Sequence, residues 1–397
     1  MKTMKITFVS NYINHHQIPF CEAMMAEEGV QFAFIQTQEM EKERVEMGWN
    51  PKESGLSYVH LAYEKPGECS ALVMDSDMVI WGGAEDETML KPRLEAGKPV
   101  IRYSERLYKT GQWKAISPKG LIKKYQDHTK YRKKQVYLLC AGAYVASDFH
   151  IVRAYPGKML KWGYFPERKD YDIDRLMEGK NSFQSGKKEI LWAARFIDWK
   201  HPEVVVSLAE RLLKERKDFH ITMIGGGELE PAIRKMIEEK GLQEVVTLAG
   251  YRTPEQVRTS MEKADIYLIT SDRQEGWGAV ANEAMNSGCA VVADHMIGAA
   301  PYLIRQGENG FMYSDGDLQD LQRVVTLLLE DDALREKVGK AAYQTITKEW
   351  NAQEAAKRLV MLAEDILQGK GFCDRWQSGP GSRAEILKER KKVPVKI

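Results

Sequence analysis

The chain has 397 residues, 43% hydrophobic and 29% charged, with 58 Lys and Arg against 57 Asp and Glu. That length suits two globular domains, and a net charge of +1 excludes a chain-wide affinity for polyanions. No apolar run reaches the roughly eighteen residues a transmembrane helix needs, and MKTMKITFVSNY turns polar too early for a signal peptide. Five scattered cysteines (Cys21, Cys69, Cys140, Cys289, Cys373) with no CxxC spacing read as reduced thiols, not as a metal site or disulfide framework.

The first half alternates strands with helical patterns. Strands are expected at Met4–Ser10, Val30–Gln36, Tyr58–Leu61, Met78–Trp81 and Pro99–Tyr103. A helix opened by Pro19 runs to about Glu28. Gln135–Cys140 and Ala143–Ala146 read as a helix or strand feeding a further β step. This alternation predicts a parallel sheet covered on both faces, with any site in the loops at the strand ends. Those loops hold His15 and His16 after the first strand, Gly82 and Gly83 after the fourth, and Ser104 and Glu105 after the fifth. The histidines suit a donor or base toward a ligand hydroxyl. Ser104 and Glu105 suit either a helix cap or a polar cluster facing the same cleft.

Residues 106–134 hold ten Lys and Arg and one Asp, interleaved with Trp113, Ile116, Leu121, Ile122, Tyr125 and Tyr131. That mixture fits a solvated insertion or a surface for anionic lipid headgroups. Nucleic acid is disfavoured, because no binding motif accompanies the charge.

The stretch 166–188 is polar and is expected to be a linker. A second alternating pattern starts at Glu189. Strand Ile190–Ala194 ends at Arg195, Lys200 follows in a loop, and Pro202 opens a helix with Val205, Leu208, Ala209 and Leu212 on one face. An Arg and a Lys at a strand end suit a diphosphate. Strand Phe219–Ile224 runs into Gly225, Gly226 and Gly227, and strand Val245–Ala249 into Gly250, Tyr251 and Arg252. Then comes IYLITSDRQEGWGAVANEAMNSGCAVVA, a strand, a Gly-bearing loop, a short helix and a second strand, with Glu275 and Glu283 bracketing the loop. Ligands of such units bind where the helix begins. Helices follow over Asp317–Glu330, Asp332–Lys348 and Trp350–Gly369. Two such α/β halves leave a cleft as the default ligand site.

Arg195, Lys200, the Gly225–Gly227 turn, Gly250 and EGWGAVANEAMNSGCAVVA, in this order and spacing over about 189–313, resemble the retaining glycosyltransferases of family 4 (glycosyl transferases group 1). NYINHHQIPF is similar to the first loop of the capsule and surface-polysaccharide members. The resemblance implies a GT-B fold, with two Rossmann-like doubly wound α/β domains facing a central cleft. It implies an acceptor domain over 1–165, the linker 166–188, a nucleotide-sugar domain over 189–350, and a C-terminal helix and tail (351–397) packing back on the first domain. It implies hexosyl transfer with retention from a UDP- or GDP-sugar, without a metal, to a saccharide or lipid-linked acceptor. Apart from the resemblance, the reduced cysteines suit a cytoplasmic setting, and the basic, aromatic stretch 106–134 suits peripheral contact at the inner face of the plasma membrane.

In that family Arg195 and Lys200 would neutralise the leaving diphosphate, Glu275 would contact the donor sugar, and Glu283 would bind the ribose. Gly225, Gly226, Gly250, Tyr251 and Arg252 would line the nucleotide. The amides from Gly276 through Trp277 and Gly278 to Ala279 would face sugar or phosphate oxygens. One departure is that WGGAEDE lacks the His that many members carry after the fourth strand. His15, His16, Gly82, Gly83, Ser104 and Glu105 are the candidates for the sugar and acceptor side. The alternatives are a nucleotide-sugar 2-epimerase of the same fold and an inactive nucleotide-sugar-binding protein.

Overall fold

The computed structural model describes residues 3–41, 45, 55–181, 186–370 and 374–389. Cys373, the tail from 390 and residues 182–185 of the expected linker lie outside the described residues. The chain forms two compact units, Met1–Glu167 with Trp350–Lys388, and Arg168–Glu349 with Glu389–Ile397.

The first unit is built on seven strands: β1 (Met4–Ser10), β2 (Val30–Gln36), β3 (Val59–Leu61), β4 (Met78–Gly82), β5 (Val100–Ser104), β6 (Val136–Ala141) and β7 (Met159–Trp162). Their order is β3-β2-β1-β4-β5-β6-β7, and every pair is parallel. Helices α1 (Ile18–Ala26), α2 (Pro66–Asp75), α3 (Lys91–Glu95), α4 (Pro118–Asp127) and α5 (Val145–Ile151) connect them. β6 settles the ambiguous stretch at 135–140 as a strand, because all six of its residues are buried, as befits a strand covered on both faces. The sequence reading expects a further β step here without placing its residues, and β7 fills it; it is short, and Lys161 interrupts its apolar run.

The second unit has six strands: β8 (Lys188–Ala193), β9 (Phe219–Ile224), β10 (Val246–Gly250), β11 (Ile266–Ile269), β12 (Ala290–Asp294) and β13 (Phe311–Tyr313). They run parallel in the order β10-β9-β8-β11-β12-β13. Around them lie α6 (Ile173–Asn181), α7 (Pro202–Leu213), α8 (Glu230–Glu239), α9 (Pro254–Lys263), α10 (Val280–Asn286), α11 (Ala300–Leu303), α12 (Leu318–Glu330) and α13 (Asp332–Lys348). α7 shows how pattern becomes packing. Pro202 starts it, and Val205, Leu208, Ala209 and Leu212 turn inward onto Ile190 and Ile221 of the sheet. α9 starts with a capping box between Thr253 and Gln256.

Residues 166–188 are not a simple linker. α6 occupies their middle, with Met177 buried. The buried Lys180 ammonium donates to the carbonyls of Met261 (2.8 Å) and Ala264 (2.6 Å). Polar composition misleads here because one of its charges, Lys180, is spent on backbone carbonyls inside the second unit.

The last helix, α14 (Ala352–Leu367), returns to the first unit and packs on α1. Beyond it the chain lies along β7: Lys161 N–H donates to Ser382 O (2.7 Å) and Ala384 N–H to Met159 O (2.9 Å). That contact covers the outer edge of the seven-stranded sheet.

Candidate functional site

In each sheet the strand order reverses direction once, between β1 and β4 in the first unit and between β8 and β11 in the second. Loops leaving the carboxyl ends of such neighbouring strands splay to opposite faces and open a crevice, the usual ligand position in open α/β sheets.

At the second switch point β8 delivers Arg195 and Lys200, and β11 delivers Glu275. Lys200 Nζ forms an ion pair with Glu275 Oε2 across 75 residues of sequence, with both side chains 13% exposed. Trp199 stands beside the two cations. Its ring centroid is 4.4 Å from Lys200 Nζ and 5.9 Å from the Arg195 guanidinium carbon, distances at which a cation is attracted to the ring face. Among the described residues, the Arg195 guanidinium hydrogen-bonds no protein group and Lys200 Nζ no group but Glu275. An ammonium has three donors and a guanidinium five. Most of that capacity is unspent among the described residues.

A second layer fixes the pair. Trp192 Nε1 donates to Thr270 Oγ1 (2.9 Å), and that hydroxyl donates to Lys200 O (2.6 Å). Asp272 N–H donates to Trp199 O (3.0 Å). His201, in the left-handed region at φ 49°, places Nδ1 2.9 Å from Glu203 Oε1 and Nε2 3.4 Å from Asp272 Oδ2. Its pKa is pushed up to about 10, first by the hydrogen bond to Asp272 and then by that to Glu203. The imidazolium therefore ties the loop after β8 to the loop after β11.

Glu283 sits on α10, one helix beyond Glu275. The Tyr267 hydroxyl donates to Ala193 O (3.1 Å), and its pKa is raised by burial and then by the charge of Glu283. Trp277 is buried, with its indole N–H on Asn282 Oδ1 (2.8 Å). Gly278 turns the chain at φ 87°, where a Cβ would lie 3.0 Å from Ile297. The amides of Gly276, Gly278 and Ala279 donate to no group among the described residues. Gly276 and Gly278 are buried, so their N–H groups ask for a partner.

The glycine turn serves the fold directly. A Cβ on Gly225 would lie 2.0 Å from Ala194 O, so only glycine lets the two loops touch. Gly225 N–H donates to Gly250 O (3.0 Å), and Gly226 lies against the Tyr251 ring. Gly225, Gly226, Gly250 and Tyr251 thus meet at the ends of β9 and β10, while Tyr251 and Arg252 stay exposed.

In the first unit the candidates fall into neighbouring groups. His15 and His16 stack in the loop after β1, ring centroids 3.8 Å apart. Burial lowers both pKa values, that of His16 to about 3, so both rings are neutral at pH 7. A Cβ on Gly83 would lie 2.8 Å from Ser10 Oγ, which joins the turn after β4 to the end of β1. The Tyr103 ring lies against Gly82. No helix begins at Ser104 or Glu105, so the cap reading is set aside. Instead Glu105 accepts from Tyr164 OH (2.9 Å) and pairs with Lys109. Arg106, counted above with the basic surface, is buried: it forms an ion pair with Asp148 through Nη2 (3.1 Å), and both side chains are 0% exposed.

Sequence reasoning missed Trp199, Thr270, Asp272 and His201. Only Trp199 carried a signal, an aromatic directly beside Lys200. The others act through contacts some seventy residues away in sequence.

Residues 174–345 match the glycosyl transferases group 1 family. The chain is 29% identical over 182 residues to the amylovoran biosynthesis glycosyltransferase AmsK of Erwinia amylovora, covering 45% of this chain and 44% of that protein. It is 24% identical over 221 residues to the putative colanic acid biosynthesis glycosyltransferase WcaL of Salmonella typhimurium, covering 53% and 54%. The chain thus spans about half the length of these curated relatives. Among solved structures, TarM aligns over 91% of this chain and 99% of its own with a TM-score of 0.67 at 12% identity. HepE of Anabaena, solved with UDP and glucose, aligns over 90% and 98% with a TM-score of 0.61 at 14% identity. These similarities extend to both sheets as fold, that of two parallel Rossmann-like α/β units. Residues 174–345 make up the greater part of the second unit, so the family match falls on that unit.

Proposed function

We propose that the chain is a glycosyltransferase that passes a hexose-type sugar from a UDP- or GDP-sugar to a saccharide or lipid-linked acceptor, with retention, in the assembly of a surface polysaccharide or glycolipid. The observation that carries this reading is the Lys200–Glu275 pair with Arg195 beside it at the second switch point, inside the matched family segment. The polysaccharide setting draws on AmsK and WcaL. UDP, bound in HepE, is the first nucleotide to try.

In this reading Arg195 and Lys200 hold the donor diphosphate. As the bond from the anomeric carbon to the phosphate oxygen breaks, negative charge grows on the diphosphate, and fixed cations stabilise it most there. No metal is needed for that counter-charge. The acceptor oxygen bonds to the anomeric carbon on the face the diphosphate leaves, and its proton passes to the departing phosphate. Glu275 orients the sugar hydroxyls, Glu283 the ribose, and the Gly276–Ala279 N–H groups donate to sugar or phosphate oxygens. Gly225, Gly226, Gly250, Tyr251 and Arg252 line the nucleoside. His15, His16, Gly82, Gly83, Ser104 and Glu105 serve the acceptor side, with neutral histidines available as proton acceptors.

The test is nucleoside diphosphate release from a panel of UDP- and GDP-sugars, with and without saccharide acceptors. One donor is expected to support acceptor-dependent release. Glu275→Gln is expected to lower that rate by about 10²–10³-fold. Binding of nucleotide without release from any donor would leave an inactive nucleotide-sugar-binding protein as the answer.

A further inference from the structure

Among the described residues, twelve large apolar side chains are exposed, and five of them fall between 113 and 125: Trp113, Ile116, Leu121, Ile122 and Tyr125. Trp113 is 68% and Ile116 80% exposed. α4, which carries the last three, buries none of its residues. At helical spacing Leu121, Ile122 and Tyr125 fall within an arc of about 100°. Lys119 and Lys123 border that arc on one side and Lys124 on the other.

This segment is anchored from behind. Arg102 Nη2 donates to Asp127 O (2.9 Å), His128 Nδ1 lies 2.8 Å from Tyr155 OH, and Thr129 Oγ1 donates to Val152 O (2.9 Å). Ala115 and Tyr131 are buried in the core of the first unit. The fold therefore holds an apolar stripe outward, which a lone soluble surface disfavours.

Charge is segregated to the same place. Residues 106–134 hold ten of the 58 Lys and Arg but one of the 57 Asp and Glu, so the rest of the chain is net acidic. Among the described residues, Lys114, Lys119, Lys123, Lys130, Arg132 and Lys133 make no ion pair with a carboxylate. No described helix is long and apolar enough to cross a membrane, so such a surface can only lie along one.

We propose that the 113–133 segment is a docking surface for the anionic face of a lipid bilayer. Its lysines meet the headgroup charge, and Trp113, Ile116, Leu121, Ile122 and Tyr125 enter the acyl boundary. The combination selects the occupant. A nucleic acid would pair with the lysines and leave the Ile and Leu side chains wet. A second copy on the same patch would set lysine against lysine. An anionic bilayer satisfies both halves. The inference stands on the surface alone, independent of the transfer reaction.

The test is co-sedimentation of the full chain with phosphatidylcholine vesicles, with and without phosphatidylserine, at low and raised salt. Binding is expected with phosphatidylserine and is expected to fall with salt. The combined change Lys114→Gln, Lys119→Gln, Lys123→Gln is expected to weaken it on the order of a hundredfold. Ile122→Ser with Tyr125→Ser weakens it as well, and neither exposed set changes the melting temperature. Failure to bind phosphatidylserine vesicles, or unaltered binding by the lysine variant, overturns the proposal. So does retention on duplex nucleic acid without vesicle binding, or a dimer that the Ile122→Ser, Tyr125→Ser variant dissociates without vesicle binding.

Discussion

Arg106–Asp148 in the first unit and Lys200–Glu275 in the second are the same kind of contact put to different uses. Each joins residues far apart in sequence, 42 and 75 positions. Asp148 is fully wrapped: it accepts from Arg106 Nε (3.3 Å) and Nη2 (3.1 Å), from Tyr108 N–H (3.1 Å) and from Gln112 Nε2 (2.9 Å). The Arg106 guanidinium also lies 5.2 Å from the Tyr144 ring centroid. Asp148 thus spends its acceptors within the fold, and the pair, closed to solvent, orders the chain after β5. Lys200 and Glu275 are also mostly buried, yet their side chains use a fraction of their donors and acceptors, and the Arg195 guanidinium beside them uses none of its five donors. Unspent hydrogen-bonding capacity at low exposure, more than ion pairing itself, marks a binding site.

The largest effect expected from this contrast is on stability in the first unit. Asp148→Asn leaves the Arg106 charge buried without its counter-charge and should cost about 3–5 kcal/mol, read as a lower denaturant midpoint at unchanged slope. A loss below about 1 kcal/mol would mean that water reaches Arg106 and that the contrast is drawn too sharply.

Thr270→Val tests the layer behind Lys200. It removes the hydroxyl between Trp192 and Lys200 O at nearly constant volume. A stability loss of about 1–2 kcal/mol is expected, along with slower transfer at nearly unchanged nucleotide affinity. A purely structural role would lower stability and leave the rate per folded molecule alone.

The smallest effect concerns pH. His201 has its pKa raised from 6.5 to about 10 by Asp272 and then Glu203. A raised pKa gives stability that is whole below pH 6.5 and is lost as pH climbs toward 10. Wild type should therefore lose its melting-temperature advantage over His201→Gln across that window. A constant difference from pH 6 to pH 10 would show that His201 is not held as an imidazolium.

Much of the fold was legible because parallel strands buried on both faces read as short apolar runs between glycine-bearing turns, as at MKITFVS and ILWAA. β7 escaped placement because Lys161 lies inside a four-residue strand whose outer edge is covered by residues more than two hundred positions later. The linker reading failed because composition cannot tell a solvated lysine from Lys180 donating to Met261 and Ala264. Within the candidate site, Arg195, Lys200, Glu275 and Glu283 stand out through spacing around the two strands. Local pattern could not reveal that Lys200 meets Glu275, nor that His201 takes a left-handed backbone to reach Asp272. For Arg106 the error was of the same kind, a charge assigned to the surface by its neighbours in sequence and buried by a partner outside them.

The central claim is that Arg195, Lys200 and Glu275 form the donor site, the cations binding diphosphate and the carboxylate acting on the sugar. Calorimetric titration of UDP and GDP into wild type, Arg195→Ala, Lys200→Ala and Glu275→Gln tests it most directly. The account predicts that the preferred nucleotide binds at least about tenfold more weakly to each cation variant, the loss of a charged hydrogen bond, and about as well to Glu275→Gln as to wild type. Equal affinity across all four proteins would contradict it.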